Sequence, residues 1–137
     1  VSISTPRPAG VEIDTGPYPG FPTDLQSVFL AAEAVGSGES RFRETVYEAR
    51  FEAAMRLAAF GADVSVQKDT AIIKGRYPLV PGIAETPDLR GGAALLVAAL
   101  AADGLSVIAD RGHLSRGYEN IARDLRKLGA DIEEHEL

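Results

Sequence analysis

"GGAALLVAALAA", Gly91 to Ala102, carries no polar side chain on any face of the helix it predicts. A helix that is apolar all round is one buried on every side. In a chain of 137 residues complete burial is hard to arrange, and the many small side chains suit a helix set closely among several others. The stretch therefore points to an assembly larger than this chain builds alone. The helix itself is predicted over Asp88–Ala102, opened by Asp88-Leu89-Arg90.

That opening has an echo upstream. Asp24-Leu25-Gln26 returns in the second half as Asp88-Leu89-Arg90, and Gly61-Ala62-Asp63-Val64 returns as Gly129-Ala130-Asp131-Ile132. Arg50, ahead of one predicted helix, returns as Arg116, ahead of another. Three matches in one order at nearly constant spacing read as an internal duplication, approximately 11–75 and 83–134, within one domain spanning 1–137.

In the first copy, Val11–Asp14 alternates as a strand, and Gly16–Pro22, with three prolines, is a turn-rich loop. A helix starts at Thr23, which with Gln26 fits a capping box; Leu25, Val28, Phe29 and Ala32 supply its inward face, and Gly36 and Gly38 end it. A strand at Ser40–Thr45 follows. The next helix covers Phe51–Phe60, with Phe51, Ala54, Leu57 and Ala58 inward and Gly61 as its cap. Strands 63–67 and 70–74 then make a hairpin over Lys68-Asp69. The second copy runs from a loop at Tyr77–Pro87 holding a brief strand at 83–85, through helix Asp88–Ala102 and strand Leu105–Ala109. It closes with helix Tyr118–Leu128, capped by Gly129, and strand Asp131–Glu133. The class is α/β, and such a unit cannot cover both faces of its own sheet without sister units.

Composition narrows the functions. A net charge of -6 argues against gripping nucleic acid or an anionic membrane, although it does not exclude a local basic site. Zero cysteines remove disulfides, cysteine-ligated zinc and any cysteine nucleophile. Gly91–Ala102 is too short to span a bilayer, for which about 20 residues are needed. The opening VSISTPRPAG has no signal-peptide pattern, so a cytoplasmic location is the default expectation; starting on Val is expected of a processed or partial product. His113 and His135 are too far apart to form a metal-ligand spacing, and no phosphate-binding glycine motif is present, so neither metal nor cofactor is expected.

The charged residues at the helix starts have two readings each. Asp24 and Asp88 can simply complement a helix N-terminus. For Asp24 the stiff loop that delivers it also suits a functional carboxylate. Arg90 must reach solvent, a carboxylate or a bound anion, and the free N–H groups beside Gly91 and Gly92 could take an anion as well. Arg116 is expected at the N-terminal end of the last helix, opposing the helix field, where an anion would offset it. Gly117 would leave room beside it and Ser115 could cap the turn. Arg50 repeats the placement without the glycine. His113 could hold loop geometry or touch a ligand.

The tracts "PYPGFPTDLQ", "ETVYEARF", "TPDLRGGAALLVAAL", "HLSRGYENI" and "LRKLGADIE" together resemble the C-terminal part of the bacterial UDP-N-acetylglucosamine 1-carboxyvinyltransferase family of enolpyruvyl transferases. The resemblance implies repeated βαβαββ units of an inside-out α/β barrel, of which this chain would hold about two of the three in one domain. It implies transfer of the enolpyruvyl group from phosphoenolpyruvate to the 3-hydroxyl of UDP-N-acetylglucosamine with release of phosphate. That step serves peptidoglycan synthesis, and hence cell shape and division. Asp24 then matches the aspartate that takes the hydroxyl proton, Arg90 an arginine facing phosphoenolpyruvate, and Arg116 the one contacting its anionic end. Val46 matches a position whose backbone touches the sugar nucleotide, Tyr47 shapes that pocket, and Arg50 braces it.

Four positions depart from the family pattern: Ala49 stands for Asn, Ser115 for Asp, Gly91 for Ala and Gly92 for Ser. The resemblance also implies partners, namely the remaining transferase domain or a complementary chain, without which the isolated chain would be inactive. Two other readings stay open: a non-catalytic repeat module binding an anionic metabolite or partner protein, and the related shikimate-pathway enolpyruvyl transfer.

Overall fold

A computed structural model describes residues 6–135; the opening residues read above for a targeting signal lie partly outside them. Strand β1 (Glu12–Asp14) leads through helix α1 (Thr23–Glu33) to β2 (Glu39–Arg43), which pairs parallel with β1. Helix α2 (Phe51–Arg56) tightens into a 3-10 turn at Leu57–Phe60, and β3 (Asp63–Gln67) and β4 (Thr70–Lys74) form the expected antiparallel hairpin. The sheet order is β1-β2-β4-β3. Further on, β5 (Ile83–Glu85), helix α3 (Leu89–Ala101) and β6 (Val107–Ala109) repeat the parallel β–α–β arrangement as a separate two-stranded sheet. A 3-10 turn at Leu114–Arg116 and helix α4 (Ile121–Lys127) follow. The order βαβαββ is thus complete over 12–74 and runs as βαβα over 83–127.

Alternation sorts the larger sheet into a dry and a wet face. Ser40 and Phe42 on β2 pair with Ile73 and Ala71 on β4, and all four are buried against the helices. The outer face carries charge: Glu39 lies opposite Lys74, and Arg43 reaches both Asp14 and Asp69. Helices α1 and α3 make the broadest helix contact; α1 packs on β2 and β4, and α3 on β6. Along α3, Gly91 through Leu96 and Ala98 are buried, as an all-apolar helix requires, while Leu100 stays half-exposed.

Several expectations need correction. Thr23 does not cap α1: its hydroxyl donates to Glu44 Oε2 at 2.9 Å, and Pro22 occupies the cap position without a side-chain bond. Nor is the buried face of α1 the one expected. Gln26, Ser27, Leu30, Ala31 and Glu33 point inward, while Leu25 and Phe29 are 46% and 43% exposed. The helix has apolar residues on two sides, and its buried side includes polar groups: Glu33 accepts from the Ser40 hydroxyl of β2 at 2.8 Å, whereas the buried Gln26 Nε2 has no partner among the described residues. Ala58 of the second helix faces solvent.

The last helix starts at Ile121, capped by Asn120, whose side chain accepts from Arg123 N, rather than at Tyr118. Asp131–Glu133 is not a strand. In the first copy Asp63–Gln67 is held by its hairpin partner Thr70–Lys74, whereas 131–133 pairs with no strand among the described residues. The segment is tied instead by Arg126, whose Nε donates to Ile132 O at 2.8 Å. Both second helices nevertheless stop alike. Gly61 and Gly129 lie in the left-handed region (φ 74° and 100°), and the amides of Ala62 and Ala130 bond back to Leu57 O and Leu125 O.

Candidate active site

The first turn of α1 presents Asp24 to solvent, and two arginines from different parts of the chain meet on its Oδ1. Arg50 Nη2 donates at 3.0 Å and Arg90 Nε at 2.8 Å. Arg90 comes from the first turn of α3, so the leading turns of the two β–α–β arrangements converge at this carboxylate. No other donor reaches Asp24 Oδ2 among the described residues, which leaves that oxygen open. The Arg90 hydrogen bond, with the positive charges of Arg90 and Arg50, holds the Asp24 carboxyl below its ordinary value, against a smaller opposing effect of burial. Arg90 is held protonated in return.

Arg50 is the more firmly placed of the two arginines. Its side chain is only 10% exposed, its Nε donates to the Thr23 hydroxyl at 3.2 Å, and its guanidinium lies 4.7 Å from the centre of the Tyr47 ring. It braces Asp24 directly and stacks against the Tyr47 ring. Val46 and Tyr47 are half-exposed, and both their amides donate to Glu44 Oε1, at 2.9 and 3.0 Å. Val46 therefore has its carbonyl, not its N–H, to offer a ligand.

Asp88 takes the plainer of its two readings: its side chain caps α3, accepting from Arg90 N at 2.7 Å and Gly91 N at 2.9 Å. Those N–H groups are consequently not open to an anion. The neighbouring glycines serve close contact instead of ligand access. A Cβ on Gly91 would lie 2.5 Å from Pro87 Cγ and 3.0 Å from Ala53 Cβ, and one on Gly92 would lie 2.9 Å from Leu114 Cδ2.

Arg116 ends the 3-10 turn Leu114–Arg116, at the end where a positive charge is favoured, and not at the start of α4. Ser115 does not cap; its hydroxyl donates to Gly112 O at 3.1 Å. The room expected beside Gly117 is filled by Leu89, since a Cβ there would lie 2.7 Å from Leu89 Cδ2. These contacts lay the Arg116 turn over the first turn of α3, the turn that carries Arg90. The guanidinium of Arg116 is exposed and makes no ion pair or hydrogen bond among the described residues.

Two carboxylates escaped notice in the sequence. Glu44 is buried, and its partners include Thr15 and Thr23, both far back along the chain. Asp110 accepts from Thr86 Oγ1 at 2.6 Å and from the amides of Gly112 and His113. His113 holds loop geometry. Its Nδ1 sits 3.0 Å from both Thr86 O and Thr86 Oγ1, and because that hydroxyl gives its proton to Asp110, both oxygens accept and Nδ1 carries the proton. His135 is exposed beside Glu133. Among the described residues no group of acidic and histidine side chains could hold a metal ion, and no helix is long and apolar enough to cross a membrane.

The profile of the EPSP synthase (3-phosphoshikimate 1-carboxyvinyltransferase) family matches residues 2–125, and the chain belongs to this family. Within it, the chain is 43% identical over 135 residues to the UDP-N-acetylglucosamine 1-carboxyvinyltransferase of Finegoldia magna, covering 98% of this chain and 32% of that protein. It is 46% identical over 127 residues to the enzyme of the same name from Gloeobacter violaceus, covering 93% and 28%. The chain thus spans about a third of the length of these curated relatives. Among solved structures, the enolpyruvyl transferase NikO from Streptomyces tendae superposes with a TM-score of 0.82 at 36% identity, over 91% of this chain and 29% of that one. EPSP synthase from Acinetobacter baumannii, at 18% identity and a TM-score of 0.61, covers 82% of this chain and 26% of its own and shares the fold. The fold is that of the enolpyruvyl transferases, mixed α/β with parallel strand pairs.

Proposed function

We propose that this chain supplies part of the active site of an enzyme that transfers the enolpyruvyl group of phosphoenolpyruvate to the 3-hydroxyl of UDP-N-acetylglucosamine. The single observation that carries the reading is Asp24, held by Arg50 and Arg90 with one carboxylate oxygen open. In the net reaction a bond forms between the sugar oxygen and the enolpyruvyl carbon, the bond from that carbon to the phosphate oxygen breaks, and the alcohol proton leaves with phosphate. The open oxygen of Asp24 suits acceptance of that proton. An anionic substrate at Arg90 would compete with Asp24 for the guanidinium and so raise the basicity of the carboxylate as it binds.

Arg116, exposed beside the same turn, suits the anionic end of phosphoenolpyruvate, because a guanidinium meets carboxylate or phosphate with paired, charge-assisted bonds. Val46 through its carbonyl, and Tyr47 through its ring, suit the sugar nucleotide. The rest of the site, and the closure that would exclude water, would come from a remaining transferase domain or complementary chain. The names of the relatives at 43% and 46% identity support this acceptor over 3-phosphoshikimate. On this reading the protein works in the cytoplasm on a peptidoglycan precursor, in support of cell shape and division. The repeat at 11–75 and 83–134 is a duplication of one unit, supported by the shared β–α–β order and the shared helix stops.

The test is phosphate release from phosphoenolpyruvate by the complete protein carrying this chain. Release that depends on UDP-N-acetylglucosamine and falls by about 10²–10⁴ in Asp24→Asn is expected. Release indifferent to the sugar nucleotide or to Asp24 would overturn the reading. One observation favours the non-catalytic alternative: two arginines depress Asp24 and make it a weak base. Calorimetric binding of both compounds without turnover would support that module instead.

A further inference from the structure

The exits of β1 and β5 are built alike. Thr15 follows β1 and Thr86 follows β5, and their amides donate to Arg43 O and Ala109 O, each at 2.9 Å. The Thr15 hydroxyl donates to Glu44 Oε1 at 2.7 Å and the Thr86 hydroxyl to Asp110 Oδ1 at 2.6 Å. Glu44 comes directly after β2, and Asp110 holds the same place directly after β6. Each carboxylate then accepts the amides two and three residues on: Val46 and Tyr47 at 2.9 and 3.0 Å, Gly112 and His113 at 3.2 and 3.1 Å. At the same remove beyond each carboxylate stands an arginine, Arg50 after Glu44 and Arg116 after Asp110.

The two copies differ in how far this network reaches. In the first, Glu44 Oε2 accepts from the Thr23 hydroxyl at 2.9 Å, and Thr23 Oγ1 accepts from Arg50 Nε at 3.2 Å. The chain of bonds ends on a guanidinium set against Asp24. In the second, Pro87 stands at the position matching Thr23 and has no hydroxyl; Asp88, the counterpart of Asp24, is spent on its own helix. The turn that carries Arg116 is anchored at its start, but the guanidinium is not held.

We propose that Glu44 and Asp110 are a matched pair of positioning residues for the transfer reaction, two copies of one latch that ties a strand exit to the turn leading to Arg50 and to Arg116. The inference rests on the proposed function, in which Arg50 holds Asp24 beside the sugar nucleotide and Arg116 meets phosphoenolpyruvate. Neither carboxylate presents a free oxygen to a ligand in the way Asp24 does; each acts through the backbone it holds. In both, burial opposes ionisation, and the hydrogen bonds from the threonine and the turn amides outweigh it, so the carboxyl lies below its ordinary value. Both latches are therefore charged, and closed, at neutral pH.

The test is steady-state kinetics of the complete transferase with both substrates varied, together with thermal unfolding, for Thr15→Val, Glu44→Gln, Thr86→Val and Asp110→Asn. The first pair is expected to raise KM for UDP-N-acetylglucosamine about tenfold, the scale of one lost charge-assisted bond, with little change for phosphoenolpyruvate. The second pair is expected to do the reverse, and Asp110→Glu to recover part of the loss. Equal changes in both KM values, or a lowered unfolding temperature with unchanged kinetics, would overturn the latch as a positioning device while leaving the proposed function standing. If the unsubstituted enzyme performs no transfer, the proposed function fails and NMR of the Arg50 Nε–H in the 137-residue chain decides the latch. Glu44→Gln should abolish the exchange protection of that proton, and protection that persists would refute the latch.

Discussion

Asp24 is the residue on which two distant segments settle, and its neighbours set its chemistry. With Arg90 and Arg50 on one oxygen, its carboxyl should titrate below the ordinary 3.8, and NMR should show the midpoint rising toward that value in Arg90→Gln. A carboxylate lowered in the folded state adds stability above its unfolded pKa and loses it as pH falls through the folded one. Asp24, Glu44 and Asp110 all shift this way, with ordinary values of 3.8, 4.5 and 3.8, so stability should decline on acidification from about pH 4.5. Glu44→Gln should flatten that decline, as urea unfolding across pH would record. On the proposed function, Asp24→Asn in the complete protein should lower kcat by about 10²–10⁴, the usual contribution of a positioned base, measured as phosphate release.

At the scale of elements, α3 tests how tightly the helices meet. Alanine is favoured over glycine inside a helix by about 1 kcal/mol. At Gly91, however, the added Cβ would press on the Pro87 ring and the Ala53 side chain. Gly91→Ala should therefore destabilise by about 1–3 kcal/mol, the usual effect of overpacking, read from the urea midpoint. Asp88→Ala should cost about 1 kcal/mol as a lost cap.

Patterns local to a few residues made most of this scale legible beforehand. The hairpin over Lys68-Asp69, the short strand at 83–85 and the two glycine stops match because each depends on neighbouring residues. The face of α1 was not legible, because Leu25 and Phe29 are as apolar as Leu30 and only the position of α3 decides between them. Asp131–Glu133 has a strand's sequence but no strand beside it. In the site, the helix-start aspartate and arginines carried a charge signal. Glu44 and Asp110 carried none, since a carboxylate after a strand gains meaning only from Thr15 and Thr86, which the fold brings back from far earlier in the chain.

For the whole molecule, α3 is buried along Gly91–Leu96 and at Ala98 within this chain, while Leu25 and Phe29 remain open on its neighbour α1. The chain spans 32% and 28% of the length of the two relatives described. Alone it should release no phosphate from phosphoenolpyruvate with UDP-N-acetylglucosamine present, whereas the complete protein should; turnover by the 137 residues alone would show that no further part of the site is needed. That the leading turns of both halves meet at one carboxylate is tested most directly by a double-mutant cycle of unfolding free energies for Asp24→Asn and Arg90→Gln. Both side chains are partly exposed, so a coupling of about 0.2–1 kcal/mol is expected. Additive single effects, with no coupling, would mean that the two turns do not meet in solution.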